Sequence, residues 1–170
     1  MNVGDVILVS GNTPVISKTI EFVTGSKWTH AALYVGGGNI IEIDWNTKAQ
    51  ITVNPYPSLG VEYQILRPST PLTKEQRDKV IVLAGEMHDT GTKYDWLKLI
   101  GLIASVKFPR ITFLHKLNKK KEMICTEMID EIYKAIGIEL FPGRSRGIFP
   151  HELLYSDKLY KLVGARAQII

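Results

Sequence analysis

The stretch His30-Ala-Ala-Leu-Tyr-Val-Gly-Gly-Gly-Asn-Ile-Ile-Glu-Ile-Asp44 decides how this chain reads. Two β-prone segments flank a run of glycines, which take positive φ without steric cost, so the stretch predicts an antiparallel hairpin. Its register fixes which polar side chains can meet. If Gly36, Gly37 and Gly38 all belong to the turn, His30 stands opposite Asp44, and Glu42 stands opposite Ala32 on the same side of the sheet, diagonal to His30. Diagonal neighbours lie roughly 7–8 Å apart at Cα, within reach of a glutamate. A two-residue turn puts both acids on the face away from His30, unless a bulge restores the register.

Ahead of the hairpin, Asp5-Val-Ile-Leu-Val-Ser10 reads as a buried first strand. Thr13-Pro14 then reads as an N-cap and first helical residue, with Val15, Ile16, Ile20 and Val23 at helical spacing and Gly25 as the stop. After the hairpin, strands are expected at Gln50–Val53 and at Val61–Arg67, the second closed by Pro68. Thr73-Lys-Glu-Gln76 is a capping box, continued by Val80, Ile81, Ala84 and Met87 as an amphipathic helix. Tyr94 to Val106 reads as an apolar helix, and Cys125 to Ile136 as another with Gly137 as its left-handed cap. A short helix over Pro150–Ser156 and a strand near Leu159–Val163 complete the chain. The expectation is one α+β domain over residues 1–170, with an antiparallel meander.

Composition narrows the class. With 170 residues, 45% hydrophobic and 22% charged, the chain fits a single globular core and excludes disorder, collagen and repeat architectures. Cys125 is the one cysteine, so neither an intramolecular disulfide nor a cysteine-rich metal site is possible. The net charge of +4 is matched by Lys116, Lys119, Lys120 and Lys121, which fall in one solvated run, and no basic face suited to nucleic acid remains. The first residues, Met1-Asn-Val-Gly-Asp-Val-Ile, show no secretory signal, which gives a cytoplasmic expectation. The stretch Trp96–Phe108 is interrupted by Lys98 and Lys107 and is shorter than the roughly 20 residues of a membrane span.

Three residue types point to chemistry. Cys125 lies at the first turn of an expected helix, where free N–H groups and the helix dipole favour a thiolate, although cysteine also packs commonly as a small hydrophobe. His30 is the histidine in an expected core strand, and a thiolate nucleophile needs an imidazole as ion-pair partner and proton donor. His88, His115 and His151 fall at a helix end, beside the lysine run and in the tail. A third polar group must orient the imidazole, and both Glu42 and Asp44 qualify by register. A metal site from His30, Glu42, Asp44 and Cys125 has no local ligand motif behind it, so neither metal nor cofactor is expected.

The order His30, Glu42, then Cys125 at a helix start resembles the circularly permuted papain-like cysteine hydrolases, the branch of the NlpC-type superfamily that includes YiiX/YaeF-like proteins and, more distantly, lecithin:retinol acyltransferase. The matching segments are Gly4-Asp-Val-Ile-Leu-Val9, Thr24-Gly-Ser-Lys-Trp-Thr-His30 continuing to Gly36, Asn39-Ile-Ile-Glu42, Lys93-Tyr-Asp95 and Ile124-Cys-Thr-Glu-Met-Ile129. The resemblance implies a permuted papain-like fold: an antiparallel sheet or half-barrel packed against helices, the cysteine at a helix N-terminus. It implies Cys125 as nucleophile, His30 as general base and acid, and Glu42 as the orienting residue. Thr126 stands where the family often has serine, and the segment between Asp95 and Cys125 is elaborated.

The expected reaction is acyl transfer through a thioester, with Tyr94 as an additional donor and Asp5, Trp28 and Tyr34 lining a cleft. The substrate expected is a small peptide or amide of cell-wall type. An alternative is a lipid-directed hydrolase or acyltransferase, touching a membrane peripherally through the apolar Trp96–Phe108 helix and the Lys116–Lys121 run. A third is a non-enzymatic binding module that keeps the fold.

Overall fold

Branched aliphatic residues fill the first strand on both of its faces, and both faces are covered: Val6, Ile7, Leu8 and Val9 have no exposed surface. The computed structural model describes residues 1–11, 14–44, 47–95, 99–100, 122–144 and 147–162. The strand β1 (Val6–Ser10) lies inside a six-stranded sheet with β2 (Trp28–Gly36), β3 (Asn39–Glu42), β4 (Gln50–Val53), β5 (Tyr63–Pro68) and β8 (Leu159–Lys161), in the order β4-β3-β2-β1-β5-β8. All of its pairs are antiparallel. A second, two-stranded parallel sheet joins β6 (Lys93–Tyr94) to β7 (Glu122–Met123). The helices are α1 (Pro14–Thr24), α2 (Lys74–Asp89) and α3 (Cys125–Ala135), with a short 3-10 helix at Pro150–Tyr155. This is an α+β fold.

The glycine run resolves into both devices that register allows. Gly37 and Gly38 make a two-residue turn with positive φ, and Gly36 pairs with Asn39. A bulge then absorbs Val35, so that Tyr34 pairs with Ile40 and Leu33 with Ile41. Beyond the bulge the register is the one a three-residue turn would give. His30 and Ala32 therefore share a face with Ile40 and Glu42.

The larger core lies where α2 and α3 cover the sheet: Val6, Leu8, Leu33 and Ile41 meet Val80, Ala84, Met128, Ile129, Ile132 and Tyr133. A smaller cluster of Ile7, Val9, Ala32, Ile40 and Tyr56 fills alternate strand positions. Ile20, Leu99, Ile124 and Phe149 form a third beside the start of α3. The α2 capping box forms as its sequence requires: Thr73 Oγ1 accepts from Gln76 N at 3.2 Å, and Thr73 N donates to Gln76 Oε1 at 3.0 Å.

Several boundaries differ from the sequence expectation. Tyr94 ends a strand rather than opening a helix, because Asp95 still donates its N–H to Met123 across the β6–β7 pair. Leu99 N donates to Asp95 O at 3.1 Å. The rest of the apolar helix expected over 94–106, and the lysine run, lie outside the described residues. The strand expected from Val61 begins two residues later, at Tyr63. Among the described residues, no helix is long and apolar enough to cross a membrane.

Candidate functional site

The hairpin and α3 bring three of the expected side chains together. His30 Nε2 lies 3.0 Å from Glu42 Oε2, and both side chains are largely withdrawn from solvent. Cys125, the buried first residue of α3, lies close enough to the same imidazole to act on its titration. Distance and local geometry distinguish the two acids. Asp44 lies past the end of β3, where its N–H and carbonyl bond Thr47, and Glu42 is the residue on His30.

Electrostatics reinforces the geometry. Burial disfavours the imidazolium, but the hydrogen bonds and charges of Cys125 and Glu42 outweigh it and raise the His30 pKa well above its ordinary value. Burial likewise pushes Glu42 upward, and the His30 contact together with a phenol donor more than reverses this, leaving the carboxyl below its ordinary value. That phenol belongs to Tyr56, whose hydroxyl donates to the same Oε2 atom. Burial and the charge on Glu42 raise the Tyr56 pKa, so it stays a donor.

Sequence reasoning did not find Tyr56. It sits in Asn54-Pro-Tyr-Pro57, outside any periodic element, and the available signal was an aromatic with a polar tip pinned between two prolines.

At the start of α3, Glu127 N and Met128 N donate to Ile124 O, and Glu127 Oε2 accepts from Ile124 N at 3.2 Å. The N–H groups of Cys125 and Thr126 have no intrahelical acceptor, which leaves donors beside the sulfur. Thr126 Oγ1, fully buried, donates to Ile148 O and ties this helix end to the chain before the 3-10 helix. Ile124 and Phe149 close one flank.

The residues expected to line a cleft are not gathered there. Val9 pairs with His30, whereas Asp5 O accepts from Tyr34 N at 2.8 Å, so Asp5 and Tyr34 lie at the opposite end of β1 and β2. Asp5 is fully buried and accepts from Arg67 Nε at 2.9 Å and Arg67 Nη2 at 2.7 Å. An Asp that opens a strand reads as a free strand-end residue; here a distant arginine claims it. Beside this pair is a cavity of about 580 Å³ bordered by Leu72, Arg77 and Tyr160, remote from His30. Tyr34 OH accepts from Gly38 N at 3.0 Å and braces the turn. Trp28 opens the same strand as His30 but packs against the larger core, with Lys27 Nζ 5.0 Å from its ring. Tyr94 lies on β6, and its side chain is outside the described residues. His88 pairs with Asp89 at the surface, His151 stacks on Phe149, and His115 is outside the described residues.

The fold is thus an α+β arrangement in which a six-stranded antiparallel sheet presents a histidine and a glutamate to a cysteine on a helix. No family model matches the sequence, and no curated protein sequence matches it either. In three dimensions the chain is similar to the metalloprotein YiiX of Escherichia coli O157:H7, with a TM-score of 0.68 and 13% sequence identity over 95% of this chain and 96% of that one. At that identity the likeness is one of fold, and the fold is YiiX-like. Among the described residues, no group of three or more His, Cys, Asp and Glu side chains is arranged to hold a metal ion.

Proposed function

We propose that this chain is a cysteine-dependent hydrolase of permuted papain-like architecture, with Cys125, His30 and Glu42 as its triad and an amide-bearing peptide as substrate. The observation that carries the reading is the imidazole of His30, bonded to the carboxylate of Glu42 and near enough to Cys125 at the start of α3 to act with it. Cys125 Sγ, as thiolate, attacks the carbonyl carbon; the carbonyl oxygen becomes an oxyanion stabilised by the backbone N–H groups at the start of α3. The tetrahedral intermediate collapses, the C–N bond breaks, and His30 delivers its proton to the departing amine. Water then gives a proton to His30 and attacks the thioester, which releases the carboxylic acid and restores the thiolate–imidazolium pair. Glu42 keeps the ring in place through both half-reactions.

Alkylation with iodoacetamide across pH tests this without a known substrate. An ion-paired thiolate reacts already at about pH 6, and His30→Ala abolishes that reactivity. A rate that instead follows an ordinary thiol, with a midpoint near about 8.5, or a cysteine inert throughout, would refute the hydrolase and favour a binding module.

A further inference from the structure

We propose that Tyr56 is a positioning residue of this site, acting through Glu42 rather than on substrate; the proposal rests on the hydrolase reading above. The ring is 1% exposed and packs among Ile7, Val9, Ala32 and Ile40, an apolar group in which a phenylalanine would fit equally. Burying a hydroxyl there costs free energy unless it is bonded, and its partner is Glu42 Oε2, the atom that also meets His30 Nε2. The loop that carries Tyr56 is itself fixed. Asn54 Oδ1 accepts from Tyr56 N at 3.1 Å, and Asn54 N donates to Gly38 O at 2.9 Å, tying the loop to the turn of the β2–β3 hairpin.

Two donors on one carboxylate oxygen do what one cannot. The bond to His30 alone leaves the carboxylate free to rotate about its last torsion, whereas a second donor from another direction fixes its plane. The phenol also shares the negative charge and so keeps Glu42 ionised as acceptor for the imidazolium. The ionisable groups around Glu42 and Tyr56 are His30 on β2, Cys125 on α3 and Asp44 beyond β3. Of these only His30 becomes a cation, so the phenol is the second source of stabilisation for the carboxylate.

The test is the pH profile of Cys125 alkylation in the full chain, with folding checked by circular dichroism. In Tyr56→Phe, Glu42 protonates at higher pH, so the acid limb moves up by about one pH unit, which is about tenfold in rate at a fixed pH on that limb. Replacing Tyr56 alone with 3-fluorotyrosine keeps the shape but makes the hydroxyl more acidic, and moves the limb the other way. Should the phenylalanine variant not fold, the direction given by fluorotyrosine decides. Limbs that stay at the wild-type position in the folded variants overturn the proposal and make Tyr56 a packing residue. A wild-type profile of an ordinary thiol overturns the hydrolase reading itself, and the role of Tyr56 with it.

Discussion

Replacing Arg67 by leucine removes the counter-charge of a carboxylate that has no exposed surface. Asp5 accepts three bonds, from Arg67 Nε at 2.9 Å, Arg67 Nη2 at 2.7 Å and the backbone N–H of Asn2 at 2.7 Å. Arg67→Leu deletes two of them and leaves the charge buried. Breaking a buried pair in this way costs about 3–5 kcal/mol, while exposed pairs are worth about 0.2–1 kcal/mol. The Arg67 side chain is 27% exposed, which places the cost at the lower end of the buried range, about 3 kcal/mol. For a chain of this size that lowers Tm by roughly 6–12 °C. Urea unfolding at neutral pH reads it as a lower midpoint with an unchanged slope. Removing the carboxylate as well, with Asp5→Leu, recovers most of the loss, because no unpaired charge remains. Cys125 alkylation in Arg67→Leu keeps its wild-type rate, since the pair lies at the far end of β1 from His30. A cost under about 1 kcal/mol would refute the reasoning and make the pair energetically equivalent to a surface one.

Three further outcomes follow from the same geometry. The raised pKa of His30 contributes stability that is complete below its ordinary value of 6.5 and is lost as pH rises through the folded value; the lowered pKa of Glu42 contributes stability that is complete above its ordinary 4.5 and is lost as pH falls through the folded value. The urea midpoints of wild type and Glu42→Gln therefore diverge most between those two values and converge on either side. Thr73→Ala removes the α2 cap and costs about 1 kcal/mol in unfolding free energy, with Cys125 alkylation unchanged. Tyr133→Phe leaves the Gly4 carbonyl without its buried phenol donor and costs about 1–2 kcal/mol by the same measurement.

Local chemistry is legible in this sequence and distant pairing is not. Helix α1 and the α2 capping box follow from residues a few positions apart, and the structure gives both. The hairpin is intermediate. Glycines at 36, 37 and 38 permit either a three-residue turn or a tight turn with a bulge, and both lead to the same face for Glu42. The bulge itself depends on packing along β2 that no local pattern encodes. Asp5 and Tyr56 show the limit, because each takes its role from a partner that only the folded sheet supplies: Arg67 is 62 positions from Asp5, and Glu42 is 14 from Tyr56. Asp95 reads as part of a helical run by its apolar neighbours, yet its N–H is claimed by Met123 on a later strand.

The site is also divided in folding time. His30 and Glu42 are 12 positions apart on one hairpin, and a loop of that size closes at little entropic cost and within microseconds. Cys125 belongs to a helix that meets the sheet only through contacts distant in sequence, which form late. By contact order, the imidazole–carboxylate pair is expected to form before the sulfur reaches it, and the burst of a refolding time course followed by Cys125 alkylation checks this. A chain whose third helix has not docked carries Cys125 as an ordinary thiol, so under the proposed reading it is alkylation at about pH 6 that reports the completion of the fold.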